Sequence, residues 1–155
     1  MKLHLIRHGK ASNYIGELDF DRPLSEKGIN QAKALGNFLE YKLVNNEVWC
    51  SDAVRTSETL SIIQDHVSFV KTNHRADFYL AQKEILLNQL WDNSSTNDVV
   101  IVGHNFGLSD LLNYFTDELI LMQTGEYICI DFGELTLRES SKNTGVICDQ
   151  FRFTP

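Results

Sequence analysis

The chain of 155 residues has 43% hydrophobic and 23% charged side chains, which is typical of a globular protein with one domain, here residues 1–155. Its formal net charge of −7, without a cluster of lysine and arginine, argues against nucleic acid or an anionic membrane as the main partner. No segment approaches the roughly 20 apolar residues of a membrane span, and the charged first residues do not resemble a signal peptide. We therefore expect a cytoplasmic protein.

The three cysteines do not form a metal-binding pattern. Cys50, Cys129 and Cys148 are widely spaced, include no CxxC pair and form no cluster with histidine at zinc-ligand spacing. Cys50 follows a Val-Trp pair and Cys129 lies within the apolar segment YICI, so both are expected to pack in the core. We predict no metal site and no cofactor.

Strand and helix patterns alternate along the first part of the chain. Lys2–His8 is a short apolar run that ends at a glycine, which is typical of a buried strand. The polar segment Gly9–Leu24 is predicted to be a loop, and Ser25 is predicted to cap a helix that reaches about Leu43. Glu47–Cys50 is predicted to be the second strand.

The same alternation continues to the C-terminus. Ser51 or Asp52 is expected to cap the second helix. The remaining predicted elements are a strand over Ser68–Lys71, a helix over Gln82–Trp91, a strand over Val99–Val102, a helix capped by Asn105 that reaches about Phe115, and strands over Tyr127–Phe132 and Val146–Phe153. This order predicts an α/β fold, a three-layer α/β/α sandwich with a largely parallel central sheet and antiparallel C-terminal edge strands.

Polar side chains follow the predicted strands at the point where each strand ends. His8 ends the first strand, and Arg55 follows the second. His104 comes just after the strand that ends at Val102. Because ligands of parallel sheets bind outside the carboxyl ends of the strands, these side chains are expected to meet in one crevice. Gly9, next to His8, would let backbone N–H groups approach an anion there.

These residue types are suited to phosphoryl transfer. A neutral imidazole nitrogen, here that of His8, is a good nucleophile toward phosphorus. The guanidinium groups of Arg7 and Arg55 bind phosphate oxygens and offset their charge. His104, if it is protonated, adds a third cationic donor. Such a reaction needs in-line placement and charge stabilisation, which these residues would supply without a metal ion.

Four motifs in order resemble those of a known family. They are RHGKAS at Arg7–Ser12, DFDRPLSEKG at Asp19–Gly28, SDAVRTSET at Ser51–Thr59 and VGHNFGLSDLLNYFT at Val102–Thr116. This set resembles the histidine phosphatase superfamily, which also contains the phosphoglycerate mutases. Within it, the sequence is most similar to the small SixA-type phosphohistidine phosphatases.

The resemblance implies a phosphoglycerate mutase-like fold and a role for each matching residue. His8 would be the phosphorylated nucleophile, and the phosphate pocket would consist of Arg7, Arg55 and His104. Arg22, in the DRPL segment, would be a further substrate contact. The resemblance also implies metal-independent catalysis through a covalent phosphohistidine. Gly9 and Asn105 complete the candidate substrate-binding residues, the alternative for Asn105 being a helix cap.

The sequence offers no clear general acid. The position after His104 is Asn105 rather than a carboxylate, and Glu84 is the only carboxylate of the segment FYLAQKEIL. Helical spacing gives no reason to direct Glu84 toward the pocket. Because an alkoxide leaves poorly without a proton whereas an imidazole leaves more easily, this favours phosphohistidine as the substrate.

Three functions therefore stay open. The first is hydrolysis of phosphohistidine on a partner protein, which releases inorganic phosphate. The second is a phosphatase of broad specificity for small phosphorylated substrates, and the third is a non-catalytic adaptor that binds phosphohistidine.

Other polar residues have simpler interpretations. His4 lies mid-strand and is expected to be a hydrogen-bonded core residue, and Lys10 is expected to be solvated. Glu17, Asp19 and Asp21 are expected to form a solvated loop, which could repel highly charged small phosphates.

Overall fold

The structure is a computed structural model that describes residues 1–13, 16 and 18–155. Its strands are β1 (Lys2–Arg7), β2 (Glu47–Ser51), β3 (Lys71–Arg75), β4 (Val99–Gly103), β5 (Tyr127–Asp131) and β6 (Val146–Phe151). Its α-helices are α1 (Glu26–Leu39), α2 (Val54–Ile63), α3 (Lys83–Asp92) and α4 (Gly107–Thr116). Within these residues, no helix is both long and apolar enough to cross a bilayer.

The strands form one six-stranded sheet in the order β3-β2-β4-β1-β5-β6. The first four strands in this order are mutually parallel, whereas β5 is antiparallel to both β1 and β6. The predicted sheet, largely parallel with antiparallel pairing at its C-terminal edge, is therefore confirmed. The carboxyl ends of β1, β2 and β4 lie side by side, because Arg7 is in register with Gly103 and Cys50 with Val102.

Each face of the sheet is covered by a pair of helices, which confirms the three layers. Along β1, Leu3 and Leu5 pack on one face with α3 and α4, and Ile6 packs on the other with α1 and α2. The alternation follows from the period of two in a strand. β4 is buried on both faces, which explains its continuous apolar sequence.

The third strand is not where the sequence predicted it. It spans Lys71–Arg75, whereas a strand over Ser68–Lys71 was expected, so the two ranges share only Lys71. β3 is the edge strand of the sheet and is half exposed, so its pairing with β2 depends on backbone hydrogen bonds rather than on apolar side chains. An apolar pattern therefore could not reveal it.

Of the predicted helix caps, one is confirmed and two are wrong. Ser25 accepts a hydrogen bond from the Gly28 amide and caps α1, although this helix ends at Leu39 rather than near Leu43. The residues before α2 and α4 are Ala53 and Phe106, and neither caps through its side chain. Ser51 and Asn105 instead hydrogen-bond to other groups, as described below.

Several core predictions are confirmed. His4 is buried and its Nδ1 lies 3.0 Å from the hydroxyl of Tyr127. Cys50 and Cys129 are buried in the core between the sheet and helices α1 and α2, whereas Cys148 is exposed.

Candidate active site

One cavity lies at the carboxyl ends of β1 and β4 and collects the residues singled out in the sequence. Its volume is about 460 Å³. The residues that line it include Arg7, His8, Arg22, Arg55, His104 and Asn105. β1 and β4 end beside each other in the sheet, and α2 begins just after β2, so three separate segments of the chain meet here.

His8 is held with one ring nitrogen directed at an arginine. Its Nδ1 lies 2.7 Å from the carbonyl oxygen of Gly9, and because a carbonyl can only accept, Nδ1 carries the proton. Nε2 therefore has a free lone pair, and it accepts a hydrogen bond from Nε of Arg55 at 3.2 Å. The Gly9 amide donates to Thr59 Oγ1 at 3.0 Å, which fixes the loop that carries the imidazole.

His104 is oriented in the opposite sense. Its Nδ1 lies 3.4 Å from Nη2 of Arg55, and a guanidinium can only donate, so Nδ1 is the acceptor. Nε2 then carries the proton and donates to the hydroxyl of Ser51 at 2.8 Å. The rings of His8 and His104 have centroids 5.1 Å apart, and a lone pair from each faces Arg55.

Both imidazoles are neutral at pH 7. Burial lowers the pKa of His8 to about 4, and the positive charges of Arg55, Arg7 and Arg22 act in the same direction. The pKa of His104 is lowered to about 3, again first by burial and then by His8 and Arg55. In this structure His104 is therefore a neutral group rather than the third cation considered from the sequence.

The two arginines beside the histidines differ in how their N–H groups are used. Arg7 donates from Nη1 to the carbonyl of Met122 at 2.8 Å, and its buried Nε has no hydrogen-bond partner among the described residues. Arg55 is 4% exposed and engages both histidines. A buried, unpaired guanidinium N–H is costly unless an anion satisfies it, so the geometry favours an anionic ligand.

Asp19 is part of the site and is not in a solvated loop, which corrects the sequence prediction. It begins a short 3-10 helix over Asp19–Asp21, and its carboxylate accepts from Arg22 at 3.0 Å and from Arg55 at 3.1 Å. Asp21 is exposed as expected, and Glu17 lies outside the described residues.

The sequence matches the profile of a known protein family. The sequence profile of the histidine phosphatase superfamily (branch 1) matches residues 3–79, about half of the chain and the part that contains His8 and Arg55. The chain belongs to the histidine phosphatase superfamily.

Two curated proteins are similar over part of their length. A 6-phosphofructo-2-kinase/fructose-2,6-bisphosphatase of Caenorhabditis elegans is 42% identical over 59 residues, or 37% of this chain and 13% of that protein. The mitochondrial serine/threonine-protein phosphatase Pgam5 of Drosophila mojavensis is 37% identical over 79 residues, or 50% of this chain and 27% of that protein. The chain thus aligns with only a small part of each relative.

The fold is similar to that of a solved SixA structure. A protein described as phosphohistidine phosphatase SixA, from Nakamurella multipartitia, superposes with a TM-score of 0.82 and 21% identity. The match covers 97% of this chain and 95% of that one. At this identity the match establishes a shared fold.

The predicted substrate-binding residues have different surroundings in this member of the superfamily. Arg22 lines the cavity and donates to the Ser12 carbonyl as well as to Asp19. Asn105 also lines the cavity, with its amide donating to the Met122 carbonyl and accepting from Ser109. The N–H of Gly9 donates a hydrogen bond to Thr59, and its carbonyl oxygen accepts one from His8. In this structure Gly9 therefore positions His8 and does not present its N–H to the cavity.

Among the carboxylates that the structure describes, neither Asp19 nor Glu84 is a protonated group beside the histidines. Glu84 is in the first turn of α3, its side chain is 66% exposed and paired with Lys83, and it is not among the residues that line the cavity. The pKa of Asp19 is lowered to about 2, first by the hydrogen bond from Tyr79 and also by Arg22 and Arg55. Asp19 is therefore ionised and is a poor proton donor at neutral pH.

Three residues of the site were not singled out by sequence reasoning. Tyr79 donates its hydroxyl to Asp19 and packs edge-on against His104, with centroids 5.5 Å apart. Thr59 donates to the Arg55 carbonyl and accepts from the Gly9 amide. Ser51 and Thr59 both lie in the motif SDAVRTSET, but Ser51 was interpreted as a helix cap and Thr59 was given no role.

Proposed function

We propose that this protein hydrolyses phosphohistidine on a partner protein, with His8 as the transient phosphoryl acceptor. The observation that carries the proposal is the orientation of His8, whose Nε2 lone pair faces Arg55 while Nδ1–H is held by the Gly9 carbonyl. A buried imidazole that is neutral at pH 7 and fixed in this tautomer is ready to attack phosphorus.

In the first step, Nε2 of His8 forms a bond to phosphorus as the P–N bond to the substrate imidazole breaks. The departing imidazole takes the electron pair of that bond, and its other ring nitrogen carries the proton that leaves it neutral. Arg7 and Arg55 would hold the phosphoryl oxygens, since their guanidinium groups line the cavity beside His8. A bound dianion would also raise the pKa of His104, so that Nδ1 could take up a proton and donate a hydrogen bond to a phosphoryl oxygen.

In the second step, water attacks the phosphorus of phospho-His8. The P–N bond to Nε2 breaks and its electron pair returns to the imidazole, so inorganic phosphate is released and His8 is restored. The cavity is open to solvent at the side of Lys10 and Asn13, both exposed, which would admit the water.

The groups beside the histidines favour an imidazole leaving group over an alkoxide. Asp19 is held ionised by Tyr79, Arg22 and Arg55, and Glu84 is exposed and does not line the cavity. Where neither of these two carboxylates protonates the leaving oxygen, loss of an alkoxide would be slow, whereas an imidazole departs near neutral pH without such help. Similarity in fold to a protein described as phosphohistidine phosphatase SixA points to the same substrate class.

The second candidate is a phosphatase of broad specificity for small phosphorylated molecules. It is supported by the match to a fructose-2,6-bisphosphatase, whose name gives a sugar phosphate as substrate. The two candidates share His8 as the nucleophile and differ in what leaves phosphorus.

A substrate panel separates the candidates. We expect kcat/KM for a phosphohistidine protein to exceed that for p-nitrophenyl phosphate and fructose bisphosphate, and His8→Ala to abolish turnover of all three. Glu84→Gln serves as the control and should leave each value unchanged. Faster turnover of the sugar phosphate would favour the second candidate, and tight binding of phosphoprotein without turnover would favour an adaptor.

A further inference from the structure

Two cysteines on neighbouring antiparallel strands lie close together at the β5–β6 edge of the sheet. Sγ of Cys148, on β6, lies 3.2 Å from Sγ of Cys129, on β5. Cys129 pairs with Asp149 and Ile130 pairs with Ile147, so Cys148 is the extra residue of a β-bulge. In a bulge the extra side chain lies on the same face of the sheet as that of the next residue, here Asp149, which pairs with Cys129. The two thiols therefore meet on one face of the sheet.

The two thiols have complementary environments. Cys148 is exposed, whereas Cys129 is 2% exposed and packs in the core. Burial raises the pKa of the Cys129 thiol, and the hydrogen bond with Cys148 adds to the effect. Both cysteines line a cavity of about 460 Å³, which is distinct from the cavity that contains His8. Lys42 also lines this second cavity. A small oxidant in solvent can therefore reach Cys148 first.

We propose that Cys129 and Cys148 are a peroxide-oxidisable dithiol that forms an intramolecular disulfide. The Cys148 thiolate attacks one oxygen of a hydroperoxide, an S–O bond forms as the O–O bond breaks, and hydroxide leaves. Cys129 sulfur then attacks the Cys148 sulfenic acid, the S–S bond forms as the S–O bond breaks, and the departing hydroxide takes the Cys129 proton. Overall, two thiols and hydrogen peroxide give one disulfide and two molecules of water.

The remaining cysteine provides an internal control. Cys50 is 0% exposed, and burial raises the pKa of its thiol to about 12, so it has neither access to oxidant nor thiolate character. The disulfide would join residues 19 positions apart and tie the edge strand β6 to β5. It would thus stabilise the antiparallel edge of the sheet without involving the phosphatase site.

Titration with hydrogen peroxide tests the proposal. The oxidised protein, unfolded and assayed for thiols, should retain one free thiol of the original three, lose about 2 Da in mass, and yield a peptide linking Cys129 to Cys148. Dithiothreitol should restore all three. Cys50→Ser should form the same link, and Cys148→Ser should keep Cys129 reduced under the same treatment.

Two results would overturn the proposal. One is sulfinic acid on Cys148, a gain of about 32 Da, with the Cys129 thiol still free. The other is a dimer linked through Cys148 of two molecules. Because Cys148 is exposed, Cys148→Ser is expected to fold, and circular dichroism checks this. The outcome does not depend on whether the protein hydrolyses phosphohistidine.

Discussion

Two oxygen atoms of Asp19 accept hydrogen bonds from the guanidinium group of Arg55. Its backbone carbonyl accepts from Nη1 at 2.7 Å, and its carboxylate accepts from Nη2 at 3.1 Å. The other carboxylate oxygen accepts from Arg22. The carboxylate thus uses guanidinium N–H groups that a phosphoryl group would also bind, and it offsets part of the positive charge of the cavity.

We expect Asp19→Asn to strengthen the binding of inorganic phosphate about three- to fivefold, because the competing negative charge is removed while an acceptor oxygen stays in place. Isothermal titration calorimetry at low ionic strength measures the change. Asp21→Asn is the matched control, since it removes the same charge from an exposed residue of the same 3-10 helix. An equal effect of the two substitutions would show that Asp19 acts only through the overall charge.

Ser51 orients His104, so its removal should affect turnover more than stability. In Ser51→Ala the Nε2–H of His104 loses its acceptor at 2.8 Å, and we expect kcat/KM to fall about tenfold. The control is Ser61→Ala, which changes an exposed serine of α2 and should leave kcat/KM unchanged. ¹⁵N NMR of the imidazole would report the altered tautomer, and an unchanged spectrum with unchanged kcat/KM would contradict the assignment.

Stability should rise with pH over the range in which the buried histidines lose their unfolded-state protons. The pKa values of His4 and His8 are lowered to about 4 and that of His104 to about 3, mainly by burial. Between these values and about 6.5 the unfolded chain binds more protons than the folded one, so stability is lost on acidification. We expect the free energy of unfolding in urea to increase by a few kcal/mol from pH 4.5 to 7.

The variant His4→Gln separates this effect from other titrations. It should reduce the slope of stability against pH by about a third, because two of the three buried imidazoles remain. His4 does not line the cavity that contains His8, so we expect the substitution to leave turnover unchanged. A slope that does not change would show that His4 contributes nothing to the pH dependence.

Gly28 allows the loop after His8 to pack against the start of α1. A Cβ at Gly28 would lie 2.1 Å from the backbone carbonyl oxygen of Lys10, which cannot move without displacing the loop. We expect Gly28→Ala to reduce the free energy of unfolding by about 2–3 kcal/mol and to lower activity with it. Thermal or urea unfolding measures the change.

Gly36, on the same helix, is the matched control. A Cβ there would meet Cδ2 of the His66 side chain at 2.7 Å, and a side chain can rotate away. Since alanine is favoured over glycine in a helix by about 1 kcal/mol, Gly36→Ala should cost little or stabilise the protein. Equal losses at both positions would argue against the loop contact.

The sequence predicted the sheet and the meeting of His8, Arg55 and His104 because these depend on local signals. A short apolar run that ends at a glycine marks a buried strand, and parallel strands bring their carboxyl ends to one edge. β3 was misplaced because an edge strand is specified by backbone pairing with β2, which leaves no apolar pattern to detect.

The details of the site could not be predicted because they depend on contacts between distant segments. Asp19 meets Arg55 across 36 positions, and Tyr79 meets Asp19 across 60, so no local pattern distinguishes Asp19 from the exposed Asp21. Ser51 and Asn105 looked like caps because residues of their type often serve as caps before helices. The tertiary structure uses them for His104 and for the Met122 carbonyl instead.

The most direct test of the account is capture of the phosphorylated enzyme. After a brief reaction with a ³²P-labelled phosphohistidine protein and a quench in alkali, the account predicts label on the enzyme that is stable in alkali and labile in acid, located on His8 by peptide mapping. His8→Ala should carry no label, whereas Glu84→Gln should be labelled like the wild type. No label on the wild type, or equal label on His8→Ala, would contradict a mechanism through phospho-His8.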